Sequence, residues 1–283
     1  MDLFSTGLIE ITDDEFALIS KLIYDKVGIN LTDKKKSLVK GRLNKLVKDL
    51  NFKTFKEYYN FVVNDLTGQS LINLFDKIST NHSYFFREKD HFDYLKDYIL
   101  KEIVEKQKLL NSNQIKIWCA GCASGEEAYT IAMIINEFFG LDMPKWDVKI
   151  LATDISITTL KAATEGIYIK DKVVGIPENL KTKYFKNIDS EHIQVSDSLK
   201  KMILFKRLNL MNEDFPFKGK FNMIFCRNVM IYFDKETKDK LVTRFYRYIE
   251  NDGYLFIGHS ESLGRETLFF KYIKPALYKR MYI

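Results

Sequence analysis

Glu126 and Glu127 directly follow a loop of small residues, Ala120, Gly121, Ala123, Ser124 and Gly125, in the stretch IWCAGCASGEEAYTIAMII (117–135). Small-residue loops that lead into a helix usually grip phosphate, because the free amides and the dipole at a helix N-terminus favour an anion. Here the first turn is acidic. The dipole itself stabilises carboxylates, yet two of them repel a pyrophosphate, so the pattern points to a ligand that is cationic at this end. The G-x-G-x-x-G pattern of dinucleotide sites is absent.

Two further strand ends carry chemistry. Asp154 closes VKILATD, and an acid at the end of the strand after such a loop accepts hydrogen bonds from ribose hydroxyls; its alternative role is N-cap of the following ISITTLKAA. Arg227 and Asn228 close FNMIFCRN, either as part of the same pocket or as a surface turn. A nucleoside with a cationic tail and no phosphates is S-adenosylmethionine, whose sulfonium and ammonium both favour acidic surroundings. A nicotinamide dehydrogenase is the rival reading. Cys119 and Cys122 have C-x-x-C spacing without a second pair and read as packing residues. Among the four histidines, His259 follows a strand and either faces the crevice or is structural, while His82, His91 and His192 show no ligand spacing.

The elements that must position these residues follow from the apolar pattern. Residues 13 to about 75 read as helical: Phe16, Ile19, Ile23 and Val27 recur at helical spacing after Thr12 or Asp13 as N-cap, and Leu38, Val39, Leu43, Leu46, Val47 and Leu50 form the next apolar face. That second helix region carries Lys34, Lys35, Lys36, Lys40, Arg42, Lys45 and Lys48 with no acid among them, either a solvated face or a docking surface for an acidic partner. The segment 79–95 interrupts the helical pattern and restarts it. From residue 115 short apolar strands alternate with helices, which predicts a mostly parallel sheet covered on both faces. GIYIK, HIQV and MILF are expected to be strands of a small insert at about 166–204.

Bulk composition agrees with a folded protein. With 46% hydrophobic and 14% aromatic residues in 283, a sizeable core is available and wholesale disorder is excluded. No apolar run approaches the roughly 18 residues of a membrane span. The acidic N-terminus has no signal-peptide pattern, and three cysteines give no disulfide framework, so a cytoplasmic location is expected. A net charge of +6 is compatible with an acidic partner.

FFREKDHFDYL, IWCAGCASGEEAYTIAMII, ILATDIS, GIY, LNL and FCRNVMIYFD…GYLFIGHSES occur in the order found in the chemotaxis receptor glutamate methyltransferases (CheR-type), which the chain resembles over nearly its whole length. The resemblance implies a Rossmann-like α/β methyltransferase sheet with an all-helical N-terminal domain (1–75), a linker that begins the cofactor site (76–95) and a methyltransferase domain (96–283) bearing the small β insert. It implies transfer of a methyl group from S-adenosylmethionine to chemoreceptor glutamates. Cofactor contacts are then implied at Asn81, Ser83, Arg87, Glu126, Asp154, Asn209, Leu210, Arg227 and Asn228. Under this reading Asp154 takes the ribose, Glu126 the amino end, and Asn209 with Leu210 the adenine. Arg87 either binds the methionine carboxylate or orients the incoming glutamate, and Tyr232 either borders the methyl group or simply packs.

Two departures accompany the resemblance. The family's GEEPYS is GEEAYT here, a small change since proline in the first turn only preorganises it. The segment KYFKNIDSEHIQV (183–195) is shorter than in many relatives and lacks glycine, in the insert that grips a receptor's C-terminal peptide, so independence from that tether is expected. The expected partner is a chemoreceptor helical domain facing the basic helix, with no nucleic acid and no membrane insertion. The chemistry demands no metal or general base, because a glutamate is ionised at neutral pH. A nucleic-acid methyltransferase and a non-catalytic cofactor sensor are the alternatives.

Overall fold

The computed structural model describes residues 7–79, 81–263 and 268–282. The chain divides into two compact units, Met1–Thr80 with Tyr232–Asp234, and Asn81–Ile231 with Lys235–Ile283.

The first unit is helical: α1 (Asp13–Val27), α2 (Lys36–Asp49), α3 (Phe55–Asn64) and α4 (Gln69–Ile78). Thr12 caps α1 in a reciprocal box with Glu15, and Gly28 at φ 71° ends it. In α2 the buried stripe is Val39, Leu43 and Val47, all at 0% exposure, whereas Leu38 and Leu50 are about 40% exposed. The apolar face expected from sequence is thus narrower, since residues four apart lie in line and Leu38 and Leu50 fall off its edges. Asn44 on the same helix is buried and exchanges both amide hydrogen bonds with the Ile9 backbone. Four of the seven basic residues have hydrogen-bond or ion-pair partners inside the unit, and Lys35 lies over the Tyr232 ring. Lys36 pairs with Asp13, Lys40 pairs with Glu10, Lys48 donates to the Gly7 carbonyl, and Arg42 donates to the Ile78 and Ser79 carbonyls.

In the second unit, α5 (Lys89–Tyr94) runs through a π-helical turn, Leu95–Ile99, into α6 (Leu100–Leu109). Then β1 (Gln114–Ala120), α7 (Glu126–Phe139), β2 (Asp147–Asp154) and α8 (Ile157–Glu165) alternate as expected. A three-stranded sheet follows, from β3 (Ile167–Ile169), β4 (Phe185–Asn187) and β5 (His192–Val195), with α9 (Glu178–Tyr184) inside it and α10 (Asp197–Lys200) after it. The chain returns with β6 (Ile203–Arg207), β7 (Phe221–Cys226), α11 (Lys235–Tyr248), β8 (Ile249–Ile257), β9 (Phe270–Lys274) and β10 (Leu277–Arg280).

The main sheet has the order β6-β2-β1-β7-β8-β10-β9, with β6 to β8 parallel and β10 antiparallel to both neighbours. MILF, expected in the insert, lies largely in β6 and pairs in parallel with β2, so it belongs to the main sheet. The insert's third strand is instead Phe185–Asn187, where lysine and asparagine hide the alternation that marks a strand. No described helix is long and apolar enough to cross a membrane.

Trp118 on β1 is wholly buried among Phe215, Phe217, Phe221 and Phe245, and its indole N–H donates to the Thr153 hydroxyl at 2.8 Å. Phe225 and Phe256 stack at 4.1 Å across β7 and β8. This packing fixes the strands whose carboxyl ends carry the site. From β1 the chain turns to β2 and β6 on one side and later crosses to β7 on the other. The reversal opens a crevice outside the carboxyl ends of β1, β2 and β7, the usual ligand position in such sheets.

Candidate functional site

The loop 121–125 lines this crevice. Gly121, at φ 91°, must be glycine twice over, since an L side chain is strained there and its Cβ would lie 2.4 Å from Val229 Cγ2. Ala123 also has positive φ, 47°, and Gly125, at φ 95°, caps α7. The amides of Gly121 and Cys122 both donate to the Thr153 carbonyl, which ties the loop to the end of β2.

Asp154 extends that tie. One carboxylate oxygen accepts the Ala123 N–H (2.9 Å) and the other the Ser156 N–H (3.0 Å). The N-cap of α8 is Ser156, whose hydroxyl accepts from the Thr159 amide, so the cap alternative for Asp154 does not describe it. The Asp154 carbonyl accepts the Leu208 amide, which brings in the segment after β6, where Asn209 Oδ1 accepts the Met211 N–H and Leu210 is buried.

Glu126 is fully buried; its two oxygens accept from the Ser124 hydroxyl, each at 2.8 Å, and Lys172 of the insert pairs with Oε1 at 3.2 Å. Lys172 has 42% of its side chain exposed, so the cation facing Glu126 stands on the edge of solvent. Tyr168 closes this corner by donating to the Ser124 carbonyl at 2.6 Å.

Glu127 does something different. It pairs at 2.8 Å with Arg227, only 2% of whose side chain is exposed, and Arg227 also pairs with Glu88 at 3.1 Å, donates to the Arg87 carbonyl and lies over the Phe92 ring. Burial pushes the Glu127 carboxyl up against the pull of Arg227. At Glu88 burial is overcome, and Arg227 together with donors from Asn228 and the His259 amide holds the carboxyl below its ordinary value. Asn228, at φ 59°, donates its amide side chain to Glu88 (3.2 Å) and its backbone N–H to Glu261 (3.0 Å). Glu261 also accepts the Gly258 and Ile231 amides and so clamps the ends of β7 and β8 together. Burial raises its carboxyl despite these donors.

The sequence-selected residues therefore fall into groups. Asp154 and Glu126 share the loop 121–125, with Asn209 and Leu210 joined through the end of β2; Arg227 and Asn228 form a second group. In the segment before α5, half-buried Arg87 donates to the His82 carbonyl and lies over Tyr84, Ser83 is half-buried beside them, and half-buried Asn81 opens the unit. Phe85 of that segment packs edge-on against Tyr168 and Phe185 of the insert. Tyr232 groups with the helical unit, where its carbonyl accepts the Asn30 amide and Lys35 lies 5.5 Å over its ring. Cys119, Cys122 and Cys226 are buried, and burial pushes their thiols well up, which suits packing rather than thiolate chemistry.

Sequence reasoning missed Glu88 and Glu261. Both are partners of residues it did select, and a buried arginine leaving a strand requires such carboxylates. It also found no ligand spacing among the histidines, yet His91 and His259 stand with ring centres 4.7 Å apart.

Two known family descriptions match almost the whole chain. Residues 81–278 match the family described as CheR methyltransferase, SAM binding domain, and residues 14–79 match CheR methyltransferase, all-alpha domain. The chain is 50% identical over 273 residues to the chemotaxis protein methyltransferase of Borreliella burgdorferi, covering 96% of each. It is 35% identical to a probable chemotaxis protein methyltransferase of Rhizobium etli (87% of this chain, 91% of that one). Identity to the Escherichia coli chemotaxis protein methyltransferase is 32% (92% and 88%).

Proposed function

We propose, from the premise that the chain belongs to the CheR methyltransferase family, that it methylates glutamate side chains of chemoreceptors, using S-adenosylmethionine. The observation that carries this reading is Glu126, a buried carboxylate at the mouth of a small-residue loop that already holds an ammonium, that of Lys172. A ligand amino group offers the same charge and the same donors, so the donor set fits the cofactor. Asp154, braced by two backbone amides, is placed to accept from a ribose, and the segment at Asn209 and Leu210 to border the adenine.

When bound, S-adenosylmethionine supplies a methyl group on a sulfonium, which becomes a neutral thioether once the methyl has left. The receptor carboxylate is ionised at neutral pH, with a reference pKa of about 4.3, so no group of this chain needs to remove a proton. The chain would only have to hold the receptor carboxylate in line with that methyl group. The residues of the chain therefore work by position, an effect that reaches roughly 7–11 kcal/mol in well-oriented systems. The fixed Arg227–Asn228 end of β7 is the rigid wall of that site, and Arg87 orients either the cofactor carboxylate or the substrate.

The receptor is reached without its C-terminal peptide. The turn 188–191 supports this, because Asp189 satisfies itself locally, accepting the Glu191 and His192 amides at 2.8 and 2.7 Å and pairing with the His192 ring at 3.0 Å. On the helical unit, the acidic methylation region would meet Lys34 and Lys45, which are exposed, with Lys35 beside them; Lys36, Lys40 and Lys48 already have intramolecular partners.

Labelled methyl transfer to the cytoplasmic fragment of a cognate receptor tests the activity, with base-labile esters expected and Asp154→Ala losing them. A chain that binds S-adenosylmethionine by calorimetry yet esterifies no receptor glutamate would overturn the substrate assignment. Deleting the receptor's C-terminal peptide is expected to leave the rate within about twofold; a loss comparable to removing an interaction of 2–3 kcal/mol, about 30–160-fold, refutes tether independence.

A further inference from the structure

We propose that Glu88, His91 and His259 form a binding site for a divalent transition metal of the zinc type. One ligand atom from each of the three residues lies within 4.8 Å of the others. Along the chain these residues are 171 positions apart at the extremes, and only the packing of α5 against the end of β8 brings them together.

His91 carries the inference. Its side chain is fully buried, its ring lies edge-on to Phe256, and neither ring nitrogen has a hydrogen-bond partner. Buried imidazole nitrogens are normally satisfied, and an orphaned pair requires an explanation such as an ion. Nδ1 stands 3.5 Å from Glu88 Oε2 without forming a hydrogen bond. Two ligands on a tetrahedral zinc with bonds of about 2.0–2.1 Å are about 3.3–3.4 Å apart, so this spacing is already that of a shared ion.

His259 completes the set. Its Nε2 pairs with Asp90 Oδ1 at 3.0 Å, which leaves the other ring nitrogen for the metal, an arrangement by which carboxylates fix metal-binding histidines. Its side chain is 44% exposed, so it can close the remaining distance and admit the ion from solvent. Asp90 is itself steadied by Lys274 at 3.3 Å. Two imidazoles, one carboxylate and an open fourth position suit Zn²⁺, with Co²⁺ as its spectroscopic substitute.

The opposing charge is Arg227, 3.1 Å from Glu88 Oε2, and Glu127 offsets it from the far side at 2.8 Å. Because the other oxygen of Glu88 holds the Asn228 side chain and the His259 amide, an ion here would grip the end of β7 through Glu88. Its effect on methyl transfer is therefore regulatory, exerted through position and not as a Lewis acid.

The test is Co²⁺ titration of the full-length chain followed by Zn²⁺ displacement. One equivalent of Co²⁺ is expected to give the visible absorption of a four-coordinate site, lost on adding Zn²⁺. His259→Gln should abolish the spectrum and weaken Zn²⁺ at least 10-fold, as judged by analogy with the effects of losing a supporting ligand, and Asp90→Asn should weaken it about 10-fold. His192→Gln, which removes the other exposed histidine–aspartate pair, should change nothing. The inference is overturned if the wild type takes up no Co²⁺ at one equivalent, if the spectrum survives in His259→Gln, or if it disappears in His192→Gln.

Discussion

Glu126 and Glu127 begin the same helix with the same side chain, and the fold surrounds them with different cations: a lysine with 42% of its side chain exposed for the first, an arginine with 2% for the second. Lys172 can return to water, where an ammonium is well solvated, so Glu126 holds a partner it can exchange. Arg227 has no such option, because a guanidinium cannot lose its charge and its desolvation has been met by Glu127, Glu88 and the Arg87 carbonyl together. Under the proposed function, one carboxylate of the pair is the one available to a cationic ligand, and the other is committed to holding the wall of the pocket.

The largest expected effect breaks the committed half. Arg227→Met leaves Glu127 and Glu88, whose side chains are only 14% and 13% exposed, without their cation, and removing one partner of a buried pair costs up to about 3–5 kcal/mol. Denaturant unfolding without cofactor should show this loss, and adding Glu127→Gln should restore part of it, since the two substitutions share one network. An Arg227→Met midpoint equal to that of the wild type would make the network dispensable and remove the contrast.

Next comes the exchangeable half. Glu126→Gln keeps a polar group beside Ser124 but loses the charge that draws an ammonium. A charged hydrogen bond contributes about 1.5–3 kcal/mol, so S-adenosylmethionine affinity should drop roughly 10–160-fold by calorimetry. Stability should fall by no more than about 1 kcal/mol, the part owed to the helix dipole. If affinity holds while stability collapses, Glu126 is a structural residue like its neighbour.

These two halves were not equally legible in the sequence. Glu126, Asp154 and the loop 121–125 stand out because their signals are local: small residues at a strand end, an acidic first turn, an acid closing the next strand. The parallel sheet was legible for the same reason, from short apolar runs alternating with helical ones. Arg227 was visible, but Glu88, 139 residues away, was not, since spacing along the chain says nothing about which carboxylate a buried guanidinium will meet. The meeting of His91 and His259 escaped in the same way. β4 was hidden by its lysine and asparagine, and Tyr232 gave no hint that its segment groups with the helical unit.

Glu15 of the helical unit sharpens the comparison as another carboxylate in a first turn, buried and with no ion-pair partner among the described residues. Its oxygens accept the Thr12 amide and hydroxyl and the Lys56 amide. Burial opposes ionisation, but the Thr12 and Lys56 donors prevail and hold the carboxyl below its ordinary value. A depressed folded value means the unfolded chain binds the proton more readily, so this stabilisation is present above about pH 4.3 and is lost as pH falls through the folded value. Glu15→Gln should therefore lower stability by about 0.5–1.5 kcal/mol at pH 7. Unfolding measured at several pH values should find the gap between the two proteins closing on acidification, while S-adenosylmethionine affinity stays at the wild-type value. A gap that widened in acid would reverse the assigned sign.

The smallest effect concerns Lys172 itself. If Glu126 is to receive a ligand amino group, the lysine must first give way, and Lys172→Met removes that competitor. An ion pair with one half-exposed partner contributes on the order of 0.2–1 kcal/mol, so the cofactor should bind about 1.4- to 5-fold more tightly. The gain should shrink in high salt, where the wild-type pair is already weakened. Calorimetry at two salt concentrations separates this from the opposite role, in which Lys172 reaches the cofactor carboxylate and its loss weakens binding. In that case Glu126 and Lys172 would act as one dipolar clamp on the amino acid end of the ligand, and the division between exchangeable and committed cations would have to be redrawn.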